Sequence, residues 1–551
     1  MSEKEASIPV AIVGAGPVGL AAGLELQRFG VPFRIFEEDT ALSNKPKAGT
    51  ILPRSLEIFA GEGVIDGVLR EGLRFDEVHF IDRPSDKVLT RMLMSPMADE
   101  TRYPFIVNLP QSDLEAQLAA GLTRQGHEVA FGHKLVSVTQ DAAGCHLVLE
   151  SPQGTVKVEA QFVLACDGGR SLIRHQLGIE MEGVTHPERF LVADFEVDLD
   201  RRTGRQLTYL SYIFDPEEWV IFVRQPRFWR FLIPVAEGAP EPTQDEVVEK
   251  VRRVVKNASL PINFLDMGIY HVHHRAANKW QDGRIFLLGD AAHLITPVGG
   301  LGMNTGIQDA HNVAWKIAWV LKYGATEALL TSYEQERAPI ARLNARNQAE
   351  RNREIMRMKS PIKRMVRNAI LGWMDRAEGL QWQAAHARSL LGTSYKPAPK
   401  PPSLWSQLRT ARHFQRPAVG IGERVPDGEL LGSDGQSCYL HDLLHRGFVA
   451  LILIDPRTRV SIDPDPPGLT QYLLHRFDAA FDTGLRDRAL LDKGGRMTRK
   501  LGVPSHYFIL LRPDGHVAAI SPFQAASSAV DAYRQYIGHN APRANANRAA
   551  L

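Results

Sequence analysis

Apolar and polar positions in this chain alternate between strand-like and helix-like periods. Ile8 to Val13 predicts a short buried strand, and GAGPVGLAAG follows at once with a helical period that stops near Gly30. VPFRIFE predicts a second strand ending at Glu37. From Leu52, LPRSLEIFAGEGVIDGVL reads as a turn and an amphipathic helix, and LPQSDLEAQLAAGLTRQG as a helix capped by Ser112. Strand character returns from Val156 to Ala165 before CDGGRSLIRHQLG. The run IFLLG ends just before Asp290, and the chain beyond it becomes helical through NTGIQDAHNVAWKIAW. Between Val184 and Trp280 the pattern changes to short apolar and aromatic strands, in one of which Trp229, Phe231 and Ile233 share a face opposite Arg230 and Leu232. Residues 314–380 are helix-rich, Tyr395 to Ser403 (YKPAPKPPS) predicts a linker or surface crossing, and GFVALILIDP, DRALLDKGG and YFILLRPDGHVAAI predict a smaller α/β unit. Asp514 and Gly515 supply a turn in the last of these.

At 551 residues the chain should hold two or more domains, and an apolar fraction of 44% lets it fold without metal or disulfides. A net charge of +2 excludes the positive balance of a nucleic-acid binder. Cys145, Cys166 and Cys438 form neither a CxxC pair nor a disulfide framework, which suits a reducing compartment. The start MSEKEASIPVAIVG lacks a signal-peptide pattern, and no apolar interval is long enough to span a bilayer. Cytoplasmic residence with no membrane partner is the simple expectation.

Three strand ends carry the candidate chemistry. Gly14 permits a turn, Gly16 the close passage of a pyrophosphate and Gly19 the packing of helix on sheet, while Glu37 can accept hydrogen bonds from a ribose. A ligand-free tight turn, with Glu37 an exposed helix-dipole or salt-bridge residue, is the bland alternative. Arg54 could neutralise a phosphate or simply sit solvated at a helix end, and Gln111 could reach a cofactor or turn backbone. Asp167 lies at the next strand end, where Gly168 and Gly169 clear space; a loop merely held by Asp167 and Arg174 competes with a ligand role. Asp290 can project from a carboxyl sheet edge, and Gly299, Gly300, Gly302 and Gly306 leave room at the following helix N-terminus, whose amides favour an electron-rich group. Together these sites suggest one interleaved cofactor domain.

The motifs GAGPVGLAAG with Glu37, CDGGRSLIR and GDAAHLITPVGGLGMNTGIQDAHNVAWKI, in this order over roughly the first 350 residues, resemble the FAD-dependent aromatic hydroxylases, the class A flavoprotein monooxygenases. The resemblance is to the phenol, hydroxyphenylpropionate and polyketide hydroxylase branch. It implies an α/β fold in which a Rossmann-like FAD-binding domain is interleaved with a β-sheet substrate domain, plus a C-terminal thioredoxin-like domain. The implied divisions are 1–183 for the first part of the FAD-binding domain, with a substrate-domain insertion near 76–105, and 184–280 for the substrate domain. The FAD-binding domain resumes over 281–350, a helical segment and linker cover 351–410, and the extension covers 411–551.

By the same resemblance Gly14, Gly16, Gly19 and Glu37 bind the adenosine and pyrophosphate part of FAD, and Arg54 and Gln111 contact the cofactor. Asp167 supports FAD and NAD(P)H use, Asp290 contacts the ribityl chain, and Pro297, Gly302, Met303 and Asn304 surround the isoalloxazine ring. His293 reads as structural rather than as a base, and Asp309 and Asn312 as polar groups satisfied inside the fold. Tyr209, Tyr212, His271, His273 and His274 are candidates for phenol contact or proton relay, with none assigned; the aromatic strand faces either line the pocket or form ordinary core. The extension lacks a thiol pair, so packing, folding or subunit contact is expected of it rather than disulfide exchange. The implied activity is hydroxylation of a phenolic or related electron-rich aromatic compound with NAD(P)H and molecular oxygen; a homodimer is left open, and no metal is called for. A flavin oxidase or dehydrogenase without oxygen insertion is the rival, and a nonenzymatic flavin-binding protein the weaker one.

Overall fold

The computed structural model describes residues 7–44, 49–199, 207–216, 219–296, 299–344, 354–356, 358–374, 377–396, 418–454, 460–475 and 486–538. Pro297 and most of the expected linker lie outside these residues. No helix among the described residues is long and apolar enough to cross a membrane, and no cluster among them could hold a metal ion.

The first sheet grows from the apolar runs. Its parallel strands stand in the order Ile285–Leu287, Gly154–Ala165, Ile8–Val13, Phe33–Phe36 and Val129–Ala130. Continuous apolar character suits them because both faces are covered. Helix Pro17–Arg28 leaves the first strand and packs against the long helix Leu301–Tyr323. Gly306 is required for that packing, since a Cβ there would lie 2.7 Å from Val18 and 3.0 Å from the Gly289 Cα. This glycine makes room for protein rather than for a ligand.

The middle sheet runs through His293–Leu294, Asn263–Ala277, Met181–Glu196, Trp229–Val235, Val220–Arg224, Leu210–Phe214, Glu77–Asp82 and Lys87–Leu93. The first and the last two of these strands come from elsewhere in the chain and join the sheet at its edges. One face buries Leu191, Ala193, Phe195, Trp229, Phe231 and Ile233 against helix Gln244–Val255. Thr243 and Glu246 form a reciprocal capping box at the start of that helix. The opposite face carries Phe190, Val272 and Leu232 and packs with Leu52 and Leu301 of the first unit. The aromatic face of Trp229 is therefore core beneath a helix, and the face toward the first sheet is the other one.

The C-terminal sheet has the order Ser437–Tyr439, Glu429–Gly432, Ala489–Leu491, Leu469–His475, Phe448–Leu453, Tyr507–Leu511 and Val517–Pro522. The architecture is thus mixed α/β, with a cofactor-type sheet, a substrate-type sheet and this third one. Three local expectations need correction. The segment from Leu52 folds as two helices, Pro53–Gly61 and Ile65–Glu71, because Gly63 takes a φ of 72° between them. Pro110 rather than Ser112 stands at the N-cap of Gln111–Arg124, with no side-chain cap. Tyr395 is no exposed linker residue: its ring stacks on His516 with centroids 4.1 Å apart.

Candidate cofactor and substrate site

Register brings the predicted strand ends to one edge. Val13 is opposite both Ala165 and Phe36, and Ala165 is opposite Leu287, so Gly14, Glu37, Asp167 and Asp290 all follow strands that finish level. Hydrogen bonds from Gly14 N to the Phe36 carbonyl (2.8 Å), Cys166 N to Val13 (2.8 Å) and Leu288 N to Ala165 (3.0 Å) close this edge. Such a carboxyl edge is where ligands collect in open parallel sheets.

Within the glycine turn, a Cβ on Gly19 would lie 2.0 Å from the Gly14 carbonyl oxygen, whereas one on Gly16 would meet nothing within 4 Å. Gly19 serves the packing of the turn, and Gly16 borders open space. Glu37 is folded toward the turn: its carboxylate accepts the Ala15 N–H at 2.6 Å and the Asp39 N–H at 3.0 Å.

Asp167 Oδ2 accepts the Ile173 N–H at 3.2 Å, while Oδ1 is buried without a hydrogen-bond partner among the described residues. Burial outweighs its hydrogen bonds and raises its pKa above the ordinary value. Arg174 crosses to the next strand end, donating to the carbonyls of Ala291 (3.1 Å) and Gly169 (3.0 Å). Asp167 and Arg174 do hold the loop, yet one carboxylate oxygen remains to be satisfied.

Asp290 is exposed between buried Gly289 and Ala291. Beneath it, Asp309 Oδ2 accepts from His293 Nε2 (2.7 Å) and from the Gly289 N–H (3.2 Å), and its Oδ1 accepts from Arg337 Nε (2.8 Å). His293 is completely buried and stacks on Trp280, which makes it a structural residue. The long helix begins at Leu301 with no side-chain cap, so amides of its first turn are left without that partner. Gly302 and Met303 are half-buried in this turn. Asn304 is buried, and its side chain is committed to protein: Oδ1 accepts from Leu52 N (2.9 Å) and Ser55 Oγ (2.7 Å), and Nδ2 donates to the carbonyls of Thr50 (2.8 Å) and Gly300 (2.6 Å).

Arg54 and Gln111 both have protein partners. Arg54 is buried against the C-terminal sheet, donating to Glu57 Oε2 (2.8 Å) and to the Asp514 carbonyl (2.6 Å), so both terminal nitrogens are turned to protein. The cause is a junction rich in charge, where Arg424 also engages Glu57. Gln111 Nε2 donates to Glu115 Oε1 at 2.9 Å, within its own helix.

Sequence reasoning also missed the anchor of the long helix. Arg512 binds Glu336 (2.6 and 2.9 Å), Lys316 Nζ binds Glu336 (2.7 Å) and Asn312 (2.8 Å), and Asp514 accepts from Trp315 Nε1 (3.2 Å). The RPDGH turn is thereby buried in an ionic network with the helix that addresses the site.

Residues 7–348 match a family model described as an FAD binding domain. The 3-(3-hydroxy-phenyl)propionate/3-hydroxycinnamic acid hydroxylase of Mycolicibacterium smegmatis is 30% identical over 462 residues, covering 81% of this chain and 77% of that protein. The pentachlorophenol 4-monooxygenase of Sphingobium chlorophenolicum is 28% identical over 94% of each chain. Among solved structures, the flavin-dependent monooxygenase PieE, in complex with FAD and substrate, superposes with a TM-score of 0.78 at 22% identity, over 97% of this chain and 100% of that one. With the family model covering most of the chain and its motifs lying on one sheet edge, the protein belongs to the class A flavoprotein monooxygenases, the FAD-dependent aromatic hydroxylases.

Proposed function

We propose that the protein hydroxylates a phenolic compound with NAD(P)H and molecular oxygen, and that FAD is held along the carboxyl edge of the first sheet. The observation that carries the cofactor placement is the level ending of the strands before Gly14, Glu37, Asp167 and Asp290, with open space beside Gly16 and an unsatisfied buried oxygen on Asp167. These features fit a dinucleotide. In this reading the glycine turn and Glu37 take the adenosine and pyrophosphate, Asp167 and Asp290 take the central polyol region, and the turn Gly302–Met303 faces the ring. The chemistry supplied by bound FAD is acceptance of reducing equivalents from NAD(P)H and activation of oxygen.

The protein's own contribution is placement and electrostatics. The uncapped N-terminus of Leu301–Tyr323 favours negative charge, and the apolar face that joins Phe190, Val272, Leu232 and Leu301 keeps water from the ring. Support for a phenol comes from the names of relatives, which specify hydroxyphenylpropionate, para-nitrophenol and pentachlorophenol.

The C-terminal unit is read as thioredoxin-like, supported by the order Val517–Pro522, Tyr507–Leu511, Phe448–Leu453, Leu469–His475 with only the last pair parallel. Its Cys438 is a lone thiol whose pKa burial pushes up, so the extension acts by packing. Cytoplasmic residence accords with free thiols at all three cysteines. Anaerobic reduction by NAD(P)H with a panel of phenols, followed by product mass in labelled oxygen, tests the activity; phenol-stimulated reduction yielding only hydrogen peroxide across the panel would favour the oxidase reading.

A further inference from the structure

The middle sheet sorts its histidines by face. In strand Asn263–Ala277, His274 shares a face with Val272, which packs in the same apolar cluster as Ile295 and Leu301. His271 and His273 point to the other face, where His273 Nδ1 lies 3.0 Å from Thr185 Oγ1. Pairing of Ala276 with His293 and Arg275 with Leu294 runs on toward His274 and Ile295, just ahead of the first turn of the long helix. His274 thus lies on the face of the substrate sheet that packs toward Leu301, the first residue of the long helix.

Its partner is His186. Nε2 of His186 lies 3.0 Å from Nδ1 of His274, the ring centroids are 4.6 Å apart, and the two residues are 9% and 8% exposed. A bulge creates this contact: pairing jumps from Thr185 opposite His273 to Arg189 opposite His271, and His186, Pro187 and Glu188 fall in the interval. Bulges re-aim side chains in this way beside active sites.

We propose that His274 accepts the proton of the substrate's ring hydroxyl and that His186 is the relay behind it; this rests on the aromatic-hydroxylase reading. The phenol O–H bond breaks and its proton passes to His274 Nε2. The Nδ1 proton of His274 moves to His186 Nε2, so the positive charge ends on His186 and the electron pair stays on the phenolate oxygen. The ring becomes more electron-rich, which is what oxygen transfer to carbon requires. A second imidazole spreads a charge that burial would otherwise oppose.

Other ionisable groups on the packed elements have their own engagements. His293 is bound to Asp309, and Arg342 donates to the Ala277 carbonyl at 3.4 Å. Arg275 on the same strand, and Glu182, Glu188 and Arg189 on the neighbouring one, are the further charged residues beside the pair in sequence.

The test uses the FAD-loaded protein and three probes, 4-nitrophenol, 4-chlorophenol and 3-(3-hydroxyphenyl)propionate. Perturbation of the flavin spectrum reports binding, and the phenolate absorption of the bound ring is followed against pH. In the wild type a bound probe should ionise below the pH at which it ionises in water. H274Q should move that midpoint up by about one unit or more and slow hydroxylation on the order of a hundredfold, at unchanged FAD content. H186Q should shift the midpoint in the same direction by less, and it carries the test should H274Q fail to fold. A bound phenol that titrates as in the wild type in either folded variant overturns the relay. A wild type that binds none of the three probes overturns the phenol-hydroxylase reading beneath it.

Discussion

Arg337 Nε lies 2.8 Å from Asp309 Oδ1, and neither side chain has any solvent exposure. Through Asp309 this pair fastens the long helix to His293 and to the Gly289 amide, directly beside Asp290. Burial works against the Asp309 charge, but Arg337 and His293 outweigh it and hold the carboxyl below its ordinary range. Arg337→Ala would take the guanidinium away from that buried charge and leave Asp309 Oδ1 without its ion-pair partner, so a loss of about 3–5 kcal/mol is expected. Urea unfolding of the apoprotein measures it; a loss under about 1 kcal/mol would show that the pair does not anchor the helix.

Acid should release the same scaffold. Asp309, Glu336 and Asp514 all have lowered pKa values in the fold: burial acts upward at each, and Arg337, Arg512 and the neighbouring cations outweigh it, taking Glu336 down to about 2. The sign follows from linkage. Depressed carboxylates contribute stability that is fully present above their unfolded pKa, near 4, and is lost as pH falls through the folded values. Melting temperature should therefore decline steeply below about pH 4. Glu336→Gln should flatten part of that decline, and an identical acid profile for this variant would remove Glu336 from the account.

Asp290 presents the opposite case, an exposed acid in a buried segment. Asp290→Ala should leave apoprotein stability within about 0.5 kcal/mol of the wild type, as surface substitutions usually do. FAD retention should fall at least about tenfold, the loss of one or two hydrogen bonds to the polyol. Equilibrium dialysis of FAD together with apoprotein unfolding separates the two effects. Normal retention would sink the ribityl assignment.

What was legible in the chain was local. Apolar runs stopping at Gly14, Glu37, Asp167 and Asp290 predict strands and their ends, and parallel pairing then places the ends level without further information. The capping box at Thr243 and Glu246 was equally local and identifies a helix start that went unread. Asp514 was legible only as a turn residue: its partner Trp315 is 199 positions away, and no periodicity reports a charge partner at that distance. The protein partners of Arg54 were hidden for the same reason, since Asp514 and Arg424 decide its surroundings. Aromatic strands announced a buried sheet, but which face meets a helix and which meets the cofactor domain depends on how the sheet docks.

The glycine turn allows folding and binding to be tested one residue apart in role. Gly16 has φ −69° and ψ 179°, an extended conformation that alanine adopts freely, and its Cβ would enter open space. Gly16→Ala should therefore fold with unchanged apoprotein stability, while the added methyl occupies the room reserved for the pyrophosphate and weakens FAD binding on the order of a hundredfold. In Gly19→Ala the Cβ would fall 2.0 Å from the Gly14 carbonyl oxygen and 3.3 Å from the Cys166 side chain. Backbone must move to relieve that contact, so this variant should lose several kcal/mol of stability before any cofactor is added. Parallel urea titrations of the two apoproteins and FAD titrations of whichever folds give the comparison. If Gly16→Ala binds FAD as the wild type does, the open space beside it is not the pyrophosphate site, and the cofactor must be placed elsewhere along the sheet edge.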